Sequence, residues 1–289
     1  MRYRYLRFPG GKAKAVTLSY DDGSRHDLRF SDIISPYGLK CTFNMTSDEN
    51  RGSHALTYEQ VQEKFLSRGH EIAVHGYMHR AEGTLRPIEG IQDVLNCRLE
   101  LEKKYDMIIR GMAYPDSGIV RFANGASYES IRQYLKELDI AYARTLAGDN
   151  DSFELPTDWY RWMPSVKHKN EQVFEYIDRF LSIDTSTKTY CAARQPRLFY
   201  MWGHSHEFEK DNNWDLLVEI CERISGKEEI WYATNIEIYN YVTAYNSLIY
   251  SADGNTIYNP TLYTIWFDID GTLYTIEPGQ TLKVQATEA

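Results

Sequence analysis

Three short segments of the chain carry side chains that bind cations or move protons: Asp21-Asp22-Gly23, the pair His75 and His79, and the pair His204 and His206. Adjacent carboxylates repel each other unless a cation or a proton-transfer role separates them. The Asp-Asp step is therefore either a solvated turn or a division of labour between two acids. Histidines four residues apart project from one face of a helical turn and can share one ion. Two imidazoles with one carboxylate form a facial ligand set that leaves positions open for water and substrate, as a catalytic centre needs. Asp22 is the carboxylate that would complete it. Taken singly each segment has a plain reading, a turn or surface histidines, and the case rests on their combination.

What combines them is position. VTLSY runs into Asp21, EIAV runs into His75, and LFYMW runs into Gly203-His204. Side chains at the carboxyl ends of different strands converge on one face of a barrel of alternating strands and helices, which is where such folds keep their active sites. The rest of the chain has that alternation. β-branched and aromatic runs predict strands at Ala15–Tyr20, Cys41–Thr46, Glu71–Val74, Ile108–Tyr114, Ile140–Arg144, Leu198–Trp202 and Ile230–Ala233. Helical periods lie between several of them. One begins at Thr57, whose hydroxyl and Gln60 form a capping pattern, and stops at Gly69; others span about Pro87–Lys104, Ser127–Leu138, Asn170–Leu181 and Asn213–Ile224. From residue 248 the pattern changes to close strands separated by Asp253-Gly254, Asp270-Gly271 and Pro278-Gly279, which predicts a small β appendage. The expected division is 1–247 for the larger α/β unit and 248–289 for the appendage, docked on it.

The motifs resemble those of the polysaccharide deacetylases, the carbohydrate esterase group that shares the NodB homology domain. Ser19-Tyr20-Asp21-Asp22-Gly23 is similar to the family's T-F-D-D-G, His75-Gly-Tyr-Met-His79 to its H-[ST]-x-x-H, and Leu198-Phe-Tyr-Met-Trp-Gly-His204 to the last motif with its histidine. The resemblance covers roughly residues 14–245. It implies an α/β fold, a distorted (β/α)7 barrel of NodB type, here with the C-terminal β appendage. It also implies Asp21 as general base, Asp22, His75 and His79 as ligands of one divalent metal, and His204 as general acid. Zinc is the first expectation for the metal, with cobalt, nickel or manganese as alternatives. The reaction implied is hydrolysis of the N-acetyl amide of an amino-sugar oligo- or polysaccharide to amine and acetate. A divalent ion would polarise the amide carbonyl and lower the pKa of water from about 15.7 towards 7, and a histidine can protonate the leaving amine near neutral pH.

The third motif departs from the family's pattern of an arginine before Pro-Pro-Tyr-Gly. Here the segment reads Arg110-Gly-Met-Ala113-Tyr114-Pro115-Asp116, with Ala113 where the arginine belongs. Arg110 either reaches in from three residues earlier or is structural. The oxyanion and substrate candidates are the backbone at Asp116, then Tyr114, with Pro115 between them. Asp158 and Trp159 stand for a loose fourth motif that walls the sugar site, orients His204 or simply packs. His204 is preferred to His206 because it lies nearer the strand end. His26, His54, His70 and His168 read as structural or exposed, with His26 close enough to Asp22 to line the mouth of the site.

Phe267-Asp268-Ile269-Asp270-Gly271-Thr272 matches the nucleophile motif of haloacid-dehalogenase-like phosphatases. That chemistry needs further motifs downstream, so the expected role is a hairpin turn. The net charge of −9 offers no basic field for nucleic acid. No stretch approaches the ~18 apolar residues of a membrane span. Together with an N-terminus that lacks a secretory pattern and cysteines without C-x-x-C spacing, this leads to an expectation of a cytoplasmic protein. Its partner would be an N-acetylated carbohydrate, with no nucleic acid and no membrane, and self-association into a homo-oligomer is left open. Two rival functions are an amidohydrolase acting on a small non-sugar amide or cyclic ureide, and a non-catalytic carbohydrate-binding protein on a degenerate barrel.

Overall fold

The computed structural model describes residues 2–47, 56–146, 150–185 and 194–284. A short strand β1 (Arg4–Arg7) leads into β2 (Lys14–Asp22), and then helices and strands alternate. They are α1 (His26–Ile34), β3 (Cys41–Met45), α2 (Tyr58–Lys64), β4 (Glu71–Val74), α3 (Pro87–Tyr105), β5 (Gly111–Ala113), α4 (Tyr128–Glu137) and β6 (Tyr142–Arg144). There follow β7 (Val166–Lys167), α5 (Val173–Ser182), β8 (Arg197–Gly203), α6 (Ser205–Lys210), α7 (Trp214–Ile224), β9 (Ile230–Tyr232) and α8 (Asn235–Asn246).

These strands pair in parallel in the order β6-β5-β4-β3-β2-β8-β7. Trp162, just ahead of β7, donates to Ala143 O (3.1 Å) and accepts from Thr145 N (2.9 Å) beside β6. Ser165 and His168 of the same segment donate to Tyr200 O (2.8 Å) and Trp202 O (3.0 Å) on β8. The segment thus bridges the two edges of the sheet and closes it into a distorted (β/α)7 barrel. The short β9 pairs with Lys14–Val16 at the start of β2, below the point where β3 begins.

Alternation along each strand sorts its residues. On β2, Val16, Leu18 and Tyr20 join Phe30, Ile34 and the other helix residues in the main apolar core. Thr17, Ser19 and Asp21 bond instead to groups inside the barrel. That interior carries many polar groups, most of them paired as a dry core requires, although Asn44 Oδ1 and Arg144 Nε have no hydrogen-bond partner among the described residues. At the lower end Glu71 accepts from Thr42 Oγ1 (2.7 Å), Tyr142 OH (2.7 Å) and the Ile236 N–H (2.9 Å). Asn235 bonds to Thr17 and Tyr200, so the first turn of α8 plugs the barrel there.

The C-terminal strands are β10 (Ile249–Tyr250), β11 (Thr256–Tyr258), β12 (Ile265–Ile269), β13 (Thr272–Ile276) and β14 (Thr281–Lys283), in two small sheets. β1, which precedes the barrel in the chain, pairs antiparallel with β12. Asp270 and Gly271 (φ 50° and 90°) form the two-residue turn between β12 and β13, as an Asp-Gly step favours. Asp268 is buried between the guanidinium groups of Arg7 and Arg194. It is a structural counter-ion, which accounts for the phosphatase-like motif. Cys41, Cys97 and Cys221 are buried free thiols, while Cys191 and His54 lie outside the described residues. Among the described residues no helix is long and apolar enough to cross a membrane.

Candidate active site

The carboxyl ends of five barrel strands deliver the site. Asp21 and Asp22 end β2, His75 follows β4, Ala113 ends β5, Arg144 ends β6 and His204 follows β8. Asp22, His75 and His79 have ligand atoms that all lie within 4.8 Å of one another. The Nε2 atoms of His75 and His79 stand 3.6 and 3.3 Å from Asp22 Oδ1. His75 Nδ1 is 2.9 Å from the Ala113 carbonyl. As the carbonyl can only accept, Nδ1 carries the proton and the lone pair of Nε2 faces the site, as metal-binding histidines are commonly held. Burial lowers the pKa of His75, against the pull of Asp21 and Asp22, which favours the neutral ligand form. Two imidazole nitrogens and a carboxylate oxygen suit one divalent transition ion, so the donor set fits the metal that the resemblance implies.

The spacing of the two histidines does not act through a helix. Residues 75–79 form a turn outside any helix, with Gly76 at φ 73° and His79 at φ 52°, and Asp22 too is left-handed at φ 81°. Such conformations in non-glycine residues gather at functional sites because the surroundings must enforce them.

Asp21 is held differently from its neighbour. Its side chain is only 1% exposed, Oδ1 accepts from Asn44 Nδ2 at 2.8 Å, and Oδ2 accepts from Arg144 Nη2 at 2.5 Å. Burial would raise its pKa, but Arg144, His75 and His204 together bring it below the usual carboxylate range. Asp21 is thus an ionised, tethered acceptor.

The cation that reaches Asp21 is Arg144, while the third-motif position is held by Ala113 at the end of β5. Arg110 does not enter; it pairs on the surface with Asp139, through Nη2 to Oδ1 at 2.9 Å. Trp202 lies against the Arg144 guanidinium, 4.5 Å from carbon to ring centre. The sequence signal for Arg144 was a lone cation at an inward position of a buried strand, Tyr142-Ala143-Arg144.

His204 faces the two aspartates from across the site, with Nε2 at 4.0 Å from Asp21 Oδ2 and 3.9 Å from Asp22 Oδ2. On its other side Nδ1 is 3.5 Å from Glu207 Oε2, and Lys167 Nζ holds the second Glu207 oxygen at 2.8 Å. Burial lowers the His204 pKa, yet Glu207, Asp21 and Asp22 outweigh it and leave the net direction upward. Glu207 was missed in the sequence although its spacing from His204 is that of a capping box. His206 stands one step out, its ring 5.3 Å from that of His204.

The remaining candidates are scattered. Tyr114 is fully buried and donates its hydroxyl to Tyr160 O at 2.9 Å, so that hydroxyl is committed away from the metal ligands. Pro115 packs under the histidine turn beside Gly76. Asp116 is exposed and left-handed at φ 50°. Asp158 accepts from Tyr128 OH and from Tyr160 N, and Trp159 packs edge-on against Trp162 and Tyr239 of α8. These contacts make Asp158 and Trp159 packing residues and leave the orientation of His204 to Glu207. His70 and His168 are buried, and His26 is half-buried at the start of α1.

Residues 9–143 match the family model described as polysaccharide deacetylase. Among solved structures, one from Mycobacterium smegmatis assigned to the polysaccharide deacetylases is 15% identical. The match covers 85% of this chain and 96% of that one, with a TM-score of 0.56. Puue allantoinase is 12% identical, covered over 81% of this chain and 91% of its own, also with a TM-score of 0.56. At these identities the two likenesses speak for the barrel alone. A search among curated proteins finds no match. The matched segment carries the first two motifs and the barrel carries the last histidine to the same face, so over residues 9–143 the chain is similar to the polysaccharide deacetylases.

Proposed function

We propose that this protein is a metal-dependent N-deacetylase that hydrolyses the N-acetyl amide of an amino-sugar oligo- or polysaccharide to amine and acetate. The observation that carries the reading is the separation of two adjacent aspartates: Asp22 turns towards His75 and His79, while Asp21 is fixed by Asn44 and Arg144. Asp22, His75 and His79 would hold one divalent ion, with zinc the first expectation and cobalt, nickel or manganese the alternatives. When bound, the ion supplies Lewis-acid polarisation of the amide carbonyl and a lower pKa for the attacking water.

Asp21 accepts the proton of that water. Its two tethers keep it ionised and fixed, so its geometry is set before the substrate arrives. His204, within about 4 Å of both aspartates, is the group that returns a proton to the leaving amine. Glu207 favours the protonated imidazole that this step consumes. The backbone N–H of Asp116 is the first choice of oxyanion donor.

The test is acetate release from N-acetylglucosamine oligomers by the metal-loaded protein, run beside hydrolysis of a small cyclic ureide. Acetate release supports the reading. Turnover confined to the cyclic ureide would move the assignment to a non-sugar amide, and no hydrolysis of either by metal-loaded protein would favour a carbohydrate-binding role.

A further inference from the structure

The family motif has serine or threonine after its first histidine, and here Gly76 stands in that place. The turn it belongs to needs support from elsewhere, since it lacks helical hydrogen bonds and ends on a left-handed His79. The support comes from α3. Asp93, 6% exposed, accepts the Tyr77 N–H on Oδ2 at 3.0 Å and the Met78 N–H on Oδ1 at 2.7 Å. Both carboxylate oxygens are therefore spent on the two amides that link Gly76 to His79.

The carboxylate as placed uses the space that the glycine leaves. A Cβ at position 76 would lie 2.6 Å from Asp93 Oδ2 and 3.3 Å from Pro115 Cγ, closer than the carboxylate allows. The φ of 73° is in addition one that side-chain-bearing residues rarely adopt. The absence of a side chain at 76 thus leaves open the space through which Asp93 reaches the backbone of the turn.

We propose that Asp93 is the positioning residue of the metal-binding turn, a carboxylate clamp that fixes His79 relative to His75 through the space that Gly76 leaves open; this rests on the metal-dependent reading above. Groups that orient metal ligands from outside typically change metal affinity by about 10–100-fold when removed.

The experiment measures zinc affinity by chelator competition, and the visible absorption of the cobalt-substituted protein. It uses the parent, Asp93→Asn, Asp93→Ala and, as a control on the exposed face of α3, Gln92→Ala. Melting of the metal-free proteins reports folding separately. The expected result is a dissociation constant raised about 10–100-fold in Asp93→Ala, a smaller rise in the isosteric Asp93→Asn, an altered cobalt spectrum in both, and parent behaviour in Gln92→Ala. Should Asp93→Ala fail to fold, Asp93→Asn decides. Parent affinity and an unchanged cobalt spectrum in the folded Asp93 variants would overturn the clamp while leaving the metal site standing. A parent that binds neither ion would instead overturn the metal-dependent reading, and the clamp with it.

Discussion

Asp21 sits in a buried pocket as an anion, and a buried anion is tolerated only while its partners stay. Arg144→Ala removes the larger partner and is expected to cut acetate release by about 100-fold or more, in line with the few kcal/mol that breaking a buried charge pair costs. Arg110→Ala, at a surface pair with Asp139, should leave activity unchanged. A steady-state comparison of the two variants checks this, and equal losses would refute the assignment of Arg144. The contrast also marks what could be read at the residue scale. Asp21, Asp22, His75, His79 and His204 stand out because acids and imidazoles at strand ends have few other uses. Arg144 and Glu207 do not, because their contacts depend on which strand lies beside which: the cation beside Asp21 comes from the end of β6 and not from the third-motif segment at the end of β5.

At the scale of elements, the strands that carry the site were legible from their apolar runs, and β4 at Glu71–Val74 has the expected bounds. The helix opening at Tyr58 was legible through its cap. Thr57 and Gln60 exchange both bonds of the capping box, at 3.0 and 3.2 Å. Thr57→Ala is expected to lower stability by about 1 kcal/mol, read as a shifted denaturant midpoint with unchanged slope. Three helices, α1, α6 and α8, were not foreseen. The six residues of α6 are too few to establish a period, and α8, rich in tyrosine and β-branched residues, has a composition closer to that of a strand. Its buried positions Asn235, Ile238, Tyr241, Val242 and Ala244 follow a helical spacing only once the polar cap inside the barrel is counted as buried. β1 was missed for a related reason, since its partner β12 lies at the other end of the chain.

For the molecule as a whole, two consequences follow from groups far from the reaction. Asp268 neutralises Arg7 and Arg194 where β1 meets β12, so Asp268→Asn is expected to cost about 3 kcal/mol of stability while folded protein keeps its activity; loss of activity without loss of stability would contradict the structural role. The second concerns pH. Burial lowers the pKa values of His70 and His168 to about 3. Cys41 N–H donates to His70 Nδ1 at 3.2 Å, an arrangement that a protonated ring cannot accept. The unfolded chain takes up these protons below about pH 6.5 and the folded chain does not, so stability is lost as pH falls from 6.5 towards 3. The expected slope is up to about 1.4 kcal/mol per pH unit for each histidine, and His70→Gln should flatten it; an unchanged slope between pH 6.5 and 5 would contradict the neutral assignment. The barrel and its convergent strand ends were visible in the alternation of the sequence, whereas the polar filling of its interior was not, because Thr17, Thr42, Glu71 and Asn235 meet only after closure. The central claim is the division of labour between neighbouring aspartates, and metal content tests it most directly. After identical zinc loading and desalting, the ratio of metal to protein is expected to be one in the parent and one in Asp21→Asn, whose acetate release is abolished, and near zero in His75→Ala. Metal lost from Asp21→Asn, or retained in full by His75→Ala, would contradict the account.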